Sequence, residues 1–99
     1  MKIQTIEPSI YEPYKSSYKI DNGKLLSRGD NTFGQLGLGD NLDRWEYTDT
    51  GLTDVKHLVY FNGTAIIFKN DGSSMGAGRN DTDQISLSDT HHRNVFIYR

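Results

Sequence analysis

The segment from Asn22 to Asp40, Asn-Gly-Lys-Leu-Leu-Ser-Arg-Gly-Asp-Asn-Thr-Phe-Gly-Gln-Leu-Gly-Leu-Gly-Asp, is written twice in this chain, the second time in a degraded form that begins at Asp71-Gly72. A shift of 49 residues places Gly23 on Gly72, Gly29 on Gly78, Asn31 on Asn80, Gln35 on Gln84, Leu38 on Leu87, Asp40 on Asp89 and Arg44 on Arg93. Apolar character survives where identity is lost: Ile3 falls on Leu52, Ile6 on Val55, Ile10 on Val59, Tyr18 on Ile67, Leu36 on Ile85 and Tyr47 on Phe96, while Tyr11 falls on Tyr60. The match runs along the whole sequence, so residues 1–99 read as a single domain of two units, 1–49 and 50–99. A period of this size marks a supersecondary unit that buries its face by stacking on a neighbour.

Each unit reads as short strands with tight turns. Pro8 interrupts the apolar residues between Ile3 and Tyr11, which favours a loop and a short strand over a helix. Residues 14–20 are predicted to be a strand, ended by the hairpin signal Asp21-Asn22-Gly23 and answered by residues 24–28. Residues 32–39 are punctuated by glycine, with Leu36 and Leu38 alternating toward one face. The second unit offers residues 55–61, the turn Asn62-Gly63, residues 64–68, the turn Asn70-Asp71-Gly72, residues 73–78 and a closing strand over 94–98. No segment carries three turns of helical periodicity, and short strands at regular spacing imply an all-β propeller or sandwich.

Asp21-Asn22-Gly23-Lys24-Leu25-Leu26-Ser27-Arg28-Gly29-Asp30-Asn31, followed by Gly34-Gln35-Leu36-Gly37-Leu38-Gly39-Asp40, resembles a blade of the RCC1 family of β-propellers. The second copy, Asp71-Gly72-Ser73 through Gly78-Arg79-Asn80 and Gln84 to Asp89, resembles it more loosely. The Trp that the family places before the glycine is Arg28 in one copy and Ala77 in the other, and the family's His is absent from Asn62-Gly63-Thr64-Ala65-Ile66-Ile67. The resemblance implies two blades per chain. It also implies that Gly23, Gly29, Asn31, Gly34, Gln35, Gly37, Gly39 and Asp40, with Gly72, Gly78, Asn80, Gln84 and Asp89, serve the blade geometry.

Two blades do not make a ring. Propellers contain 4–8 blades, each apolar toward both neighbours, and two blades alone would leave two flanks wet, each larger than the few hundred Å² that monomers usually expose. Copies of the same chain are the economical cover. Three would give six blades and four would give eight, with closure set by the rotation per subunit; a homotrimer is the expectation. A homodimer packed as a sandwich and a fragment of a longer propeller are the structural competitors, the initiating Met speaking against the fragment.

Composition bounds the partners. The formal charge of −2 lacks the clustered Lys and Arg that a grip on nucleic acid needs. There is no Cys, hence no disulfide and no thiolate metal site. The mean hydropathy of −0.67 and a hydrophobic content of 34% leave little apolar chain for a core, partly offset by six Tyr and four Phe. The N-terminal residues lack the apolar stretch of a secretory signal and nothing approaches a membrane span, so a cytoplasmic or virion location is expected, with no membrane partner.

Motifs that suggest chemistry have plainer readings. Adjacent His91 and His92 replace Leu42-Asp43 in a loop, and neighbours on a strand would point apart; a metal needs three or four converging ligands. Gly34-x-x-Gly37-x-Gly39 is not flanked by the strand and helix of a nucleotide loop. The many Asp residues lack calcium-loop spacing and suit hydrogen bonds to turn amides. Arg28-Gly29-Asp30 coincides with repeat positions, and Asn62-Gly63-Thr64 and Asn80-Asp81-Thr82 fit a glycosylation pattern that matters only in a secreted chain. No serine sits in a nucleophile elbow. The reading is therefore a non-enzymatic, cofactor-free oligomeric propeller that binds protein, itself first. The alternatives are a structural component of a virus particle or tail, and a small-molecule or sugar binder using the central channel. The binding residues expected, as loop aromatics and charges, are Tyr11, Tyr14, Phe33, Arg44, Trp45 and Tyr47; Phe33, Trp45 and Tyr47 could alternatively be core between blades.

Overall fold

Asn22 and Gly23, with φ of 51° and 84°, and Asn62 and Gly63, with φ of 45° and 89°, close two-residue turns whose twist matches the strands they join. The computed structural model describes residues 3–6 and 14–99. Two four-stranded antiparallel sheets result. The first runs in order β1 (Ile3–Ile6), β2 (Ser16–Asp21), β3 (Lys24–Gly29) and β4 (Arg44–Asp49). The second runs β5 (Val55–Phe61), β6 (Thr64–Lys69), β7 (Ser74–Gly78) and β8 (Arg93–Tyr98). No described residue is helical, so the chain is all-β.

The two sheets repeat one plan with one slip. Both carry a register shift at the same place, between Ser27 and Gly29 in the β3–β4 pairing and between Gly76 and Gly78 in the β7–β8 pairing. The β6–β7 turn, however, holds three residues: Lys69 N–H donates to Ser73 O at 2.9 Å, around Asn70-Asp71-Gly72. The slip shows in equivalent bonds. Ser16 Oγ donates to Asp30 O at 2.7 Å, and Thr64 Oγ1 donates to Arg79 O at 2.8 Å. Ser16 therefore corresponds to Thr64, and Tyr18 to Ile66 rather than to Ile67. The β1–β2 pair Ile6–Tyr18 likewise matches Val59–Ile66, so Ile6 corresponds to Val59 and not Val55. The 49-residue spacing holds only from β3 and β7 onward. Because a one-residue shift sends every side chain of a strand to the other face, this correction decides which residues meet between the sheets.

With the counterparts fixed, the packing has a direction. Tyr18, Ile20 and Leu25 of the first sheet join Leu36 in one core with Leu58, Ala65, Ile67, Met75, Ala77 and Phe96 of the second. Tyr18 thus packs on the face that carries Ile67, although its own counterpart, Ile66, points from the opposite face. The sheets stack like tiles that all face one way, not as mirror partners. Leu25, Leu36 and Ile67 are fully buried, each worth ~1.5–3 kcal/mol over exposure.

Candidate functional site

Between β3 and β4 the chain makes a long loop braced by Asn31. Its Nδ2 donates to Asp40 O at 2.9 Å and Leu42 O at 3.0 Å, its Oδ1 accepts from Leu36 N–H at 3.0 Å, and its own N–H donates to Asp43 Oδ1 at 2.9 Å. Asn80 repeats this between β7 and β8, to Asp89 O at 3.2 Å, His91 O at 3.0 Å and from Ile85 N–H at 2.9 Å. Arg44 clamps Asp40 at 2.8 Å and Arg93 clamps Asp89 at 2.6 Å. The guanidinium of Arg93, with the His91 N–H, holds the Asp89 carboxyl down to about 2, and Arg44 with Leu42 N–H lowers that of Asp40. Asp30, Asp49, Asp71 and Asp83 each accept from a nearby backbone N–H, as expected of turn acids. Gln35 accepts from Phe33 N–H through Oε1, and Gln84 from Thr82 N–H. The repeated Asn, Gln, Asp and Arg positions are therefore loop braces.

The loop of the first unit is the seam with the second. Gly39 N–H donates to Asn94 O at 2.7 Å, and Leu38 bridges Val95 on the edge of β8. Gly34 and Gly37 have positive φ, and a Cβ on either would overlap Asn94 or the Phe96 ring. Tyr18 OH donates to Gln35 O at 2.6 Å, while the hydroxyl of Tyr60 reaches across to Tyr14 O. Burial foremost, then the neighbouring Tyr60, pushes the Tyr18 phenol well above its ordinary range. Phe33 lies 4.8 Å from Tyr14 and 4.8 Å from the His92 ring, with the Arg79 guanidinium 5.5 Å away.

The outer flanks differ from the seam and from each other. Opposite its core face, the first sheet carries Ser17, Lys19, Leu26, Arg28, Trp45 and Tyr47. The corresponding residues of the second sheet are Ala65, Ile67, Met75, Ala77, Asn94 and Phe96, which lie against the first unit. Tyr47 is covered by two cations, Lys19 Nζ at 4.7 Å and Arg28 at 4.3 Å from its ring centre. Trp45 is 85% exposed. The expectation of an apolar flank on either side fails here: the open face of the first unit is cationic and aromatic. The open face of the second sheet is more apolar, with Val59, Phe61 and Phe68 exposed and His57 stacked on Phe68.

The site residues expected from sequence scatter. Arg44, Trp45 and Tyr47 lie on β4, not in a loop, and Arg44 is committed to Asp40. Phe33 and Tyr14 meet at the seam, half-buried, and so fit a core role between units. Trp45 and Tyr47 share the outer flank, and Tyr11 lies outside the described residues. His92 is more than a solvated loop residue: its Nδ1 accepts the Asn80 N–H at 3.0 Å, where Asp43 serves Asn31. The alignment of His92 with Asp43 was the available signal, since both can accept.

A cavity of about 550 Å³ is lined by Gln4, Ile20, Asn22, Asp54, Lys56 and Asn70, and one of about 230 Å³ by Phe33, Asn41, His92, Arg93 and Asn94. Among the described residues, no three His, Asp or Glu gather to hold a metal ion, and no helix is long and apolar enough to cross a membrane. The class defined is an all-β protein of two tandem four-stranded sheets. Against known proteins, neither a family model nor a curated sequence matches the chain.

Proposed function

We propose that the chain is a non-enzymatic assembly module: two RCC1-like blades whose outer flanks bind protein, first of all copies of the same chain, with three chains completing a ring of six blades. One observation carries this reading. The two sheets stack in the same sense through unlike faces, so the pair ends in two different flanks, as a unit of a head-to-tail ring must. Exposed Trp45 and half-buried Tyr47, with Arg28, supply the residue types that dominate protein-binding hot spots. Light scattering on the purified protein at micromolar concentration tests the reading; a mass three times that of the chain is expected, and a well-folded species of single-chain mass would refute it. The cavity of about 550 Å³ supports a second reading, a binder of small polar molecules. A thermal shift against a panel of sugars and small metabolites, lost on Asn70→Ala, would support it.

A further inference from the structure

The contact inside one chain constrains the contact between copies. Continuing the stack brings the loop of one copy's second unit over β4 of the next. Asp83 then takes the place of Gly34, and Ser86 that of Gly37, opposite Trp45 and Tyr47 instead of Asn94 and Phe96. Both loops share one backbone: φ is 56° at Asp83 and 66° at Ser86, against 79° at Gly34 and 69° at Gly37. Since a Cβ at Gly34 or Gly37 would overlap the facing strand, two copies cannot approach as closely as two units of one chain do. The space between them is at least one side chain wide. At the position of Asn94 the open face carries a much larger side chain, the exposed indole of Trp45.

We propose that Trp45 is the anchor of the seam between copies. It fills the layer between β4 of one copy and the loop from Asn80 to Asp89 of the next, with Tyr47 beside it. The occupant of this face is a second copy, on two grounds. The face is the counterpart of one already buried within the chain, so the stacking interface continues onto it. Its cations, Lys19 and Arg28, also meet a loop that carries the acid Asp83. Phe68, the counterpart of the buried Ile20, is 37% exposed and comes over β1 and β2 of the next copy. This inference rests on the self-assembly reading.

Trp45 is the single tryptophan of the chain, so its emission reports this seam without labelling. Emission and light scattering are recorded on the same samples across a dilution series. The proposal expects the emission of a buried indole in the assembled protein, reddening as the mass falls to one chain. Trp45→Ala should weaken association at least tenfold with the unfolding midpoint of the isolated chain unchanged. The double variant Asp83→Gly, Ser86→Gly should also weaken association, because it removes the layer that Trp45 packs on. Assembly with a water-exposed indole would overturn the role of Trp45 and leave self-assembly standing, as would tighter association in the glycine double variant. A single-chain mass at every concentration would overturn the self-assembly reading itself.

Discussion

The loops 31–40 and 80–89 are the same object built for two different surroundings. Asn31 and Asn80 brace them through nearly the same bonds, and Arg–Asp clamps close both. At the three positions where the backbone turns left-handed, the first loop has Gly34, Gly37 and Gly39, and the second has Asp83, Ser86 and Ser88. Left-handed geometry therefore does not by itself require glycine here. The first loop requires it at two of the three because β8 of the second unit lies directly on it. Glycine marks where a neighbour sits, and its replacement marks a surface open in this chain. The sheets tell the same story, with apolar Ile67 and Ala77 against a neighbour and Lys19 and Arg28 facing outward.

The strongest way to break this comparison is to exchange residues between the loops. Gly37→Ser should cost about 3 kcal/mol or more in denaturant unfolding, since it adds a side chain against Phe96 and a left-handed non-glycine residue. Ser86→Gly, the reverse change at the equivalent position, should instead stabilise by roughly 0.5–1 kcal/mol, the cost of left-handed serine being relieved. Equal effects at both positions would dissolve the distinction. Next in size, Asn31→Ala and Asn80→Ala should each cost about 2–3 kcal/mol, because both are fully buried and leave loop carbonyls and an N–H without partners. A large cost at only one of them would show that the braces are not equivalent.

A finer test concerns the one brace that changes chemistry. His92→Ala should cost about 1 kcal/mol and speed hydrogen exchange at the Asn80 amide, whereas His92→Asp, which restores the acceptor of the first loop, should keep that amide protected. The smallest effect is electrostatic. The Asp89 carboxyl is held at about 2 in the folded chain against an ordinary 3.8. Its folded value lies below its unfolded one, so its contribution is complete above pH 4 and is lost as the pH falls from about 4 to 2. Asp89→Asn should flatten the stability profile in that window, with a small loss of stability near neutrality that disappears as the pH falls to about 2.

Much of this was legible in the sequence because Asn-Gly turns and the repeated brace residues are local signals. The hairpins at Asn22-Gly23 and Asn62-Gly63 fall where the residues place them. Strand β4 leaves no core pattern to read, because Arg44 to Asp49 exposes Trp45, half-buries Tyr47 and buries no side chain fully. The alignment of Tyr18 with Ile67 was off by one because a three-residue turn replaces a two-residue one, and length changes in turns leave no mark on apolar periodicity. The polarity of the first flank was readable in retrospect: Lys19 and Arg28 stand where the second unit has Ile67 and Ala77. The role of His92 was hidden because accepting ability was kept while residue identity was not.

The account depends on the first loop lying directly beneath β8. Nuclear Overhauser contacts measured in solution reach this most directly. Strong contacts are expected from the Gly37 Hα protons to the Phe96 ring, with the Gly37 shifts displaced by that ring's current, and contacts from Gly34 Hα to Asn94 Hα and Hβ. Unshifted Gly37 protons with no contact to Phe96 would contradict it.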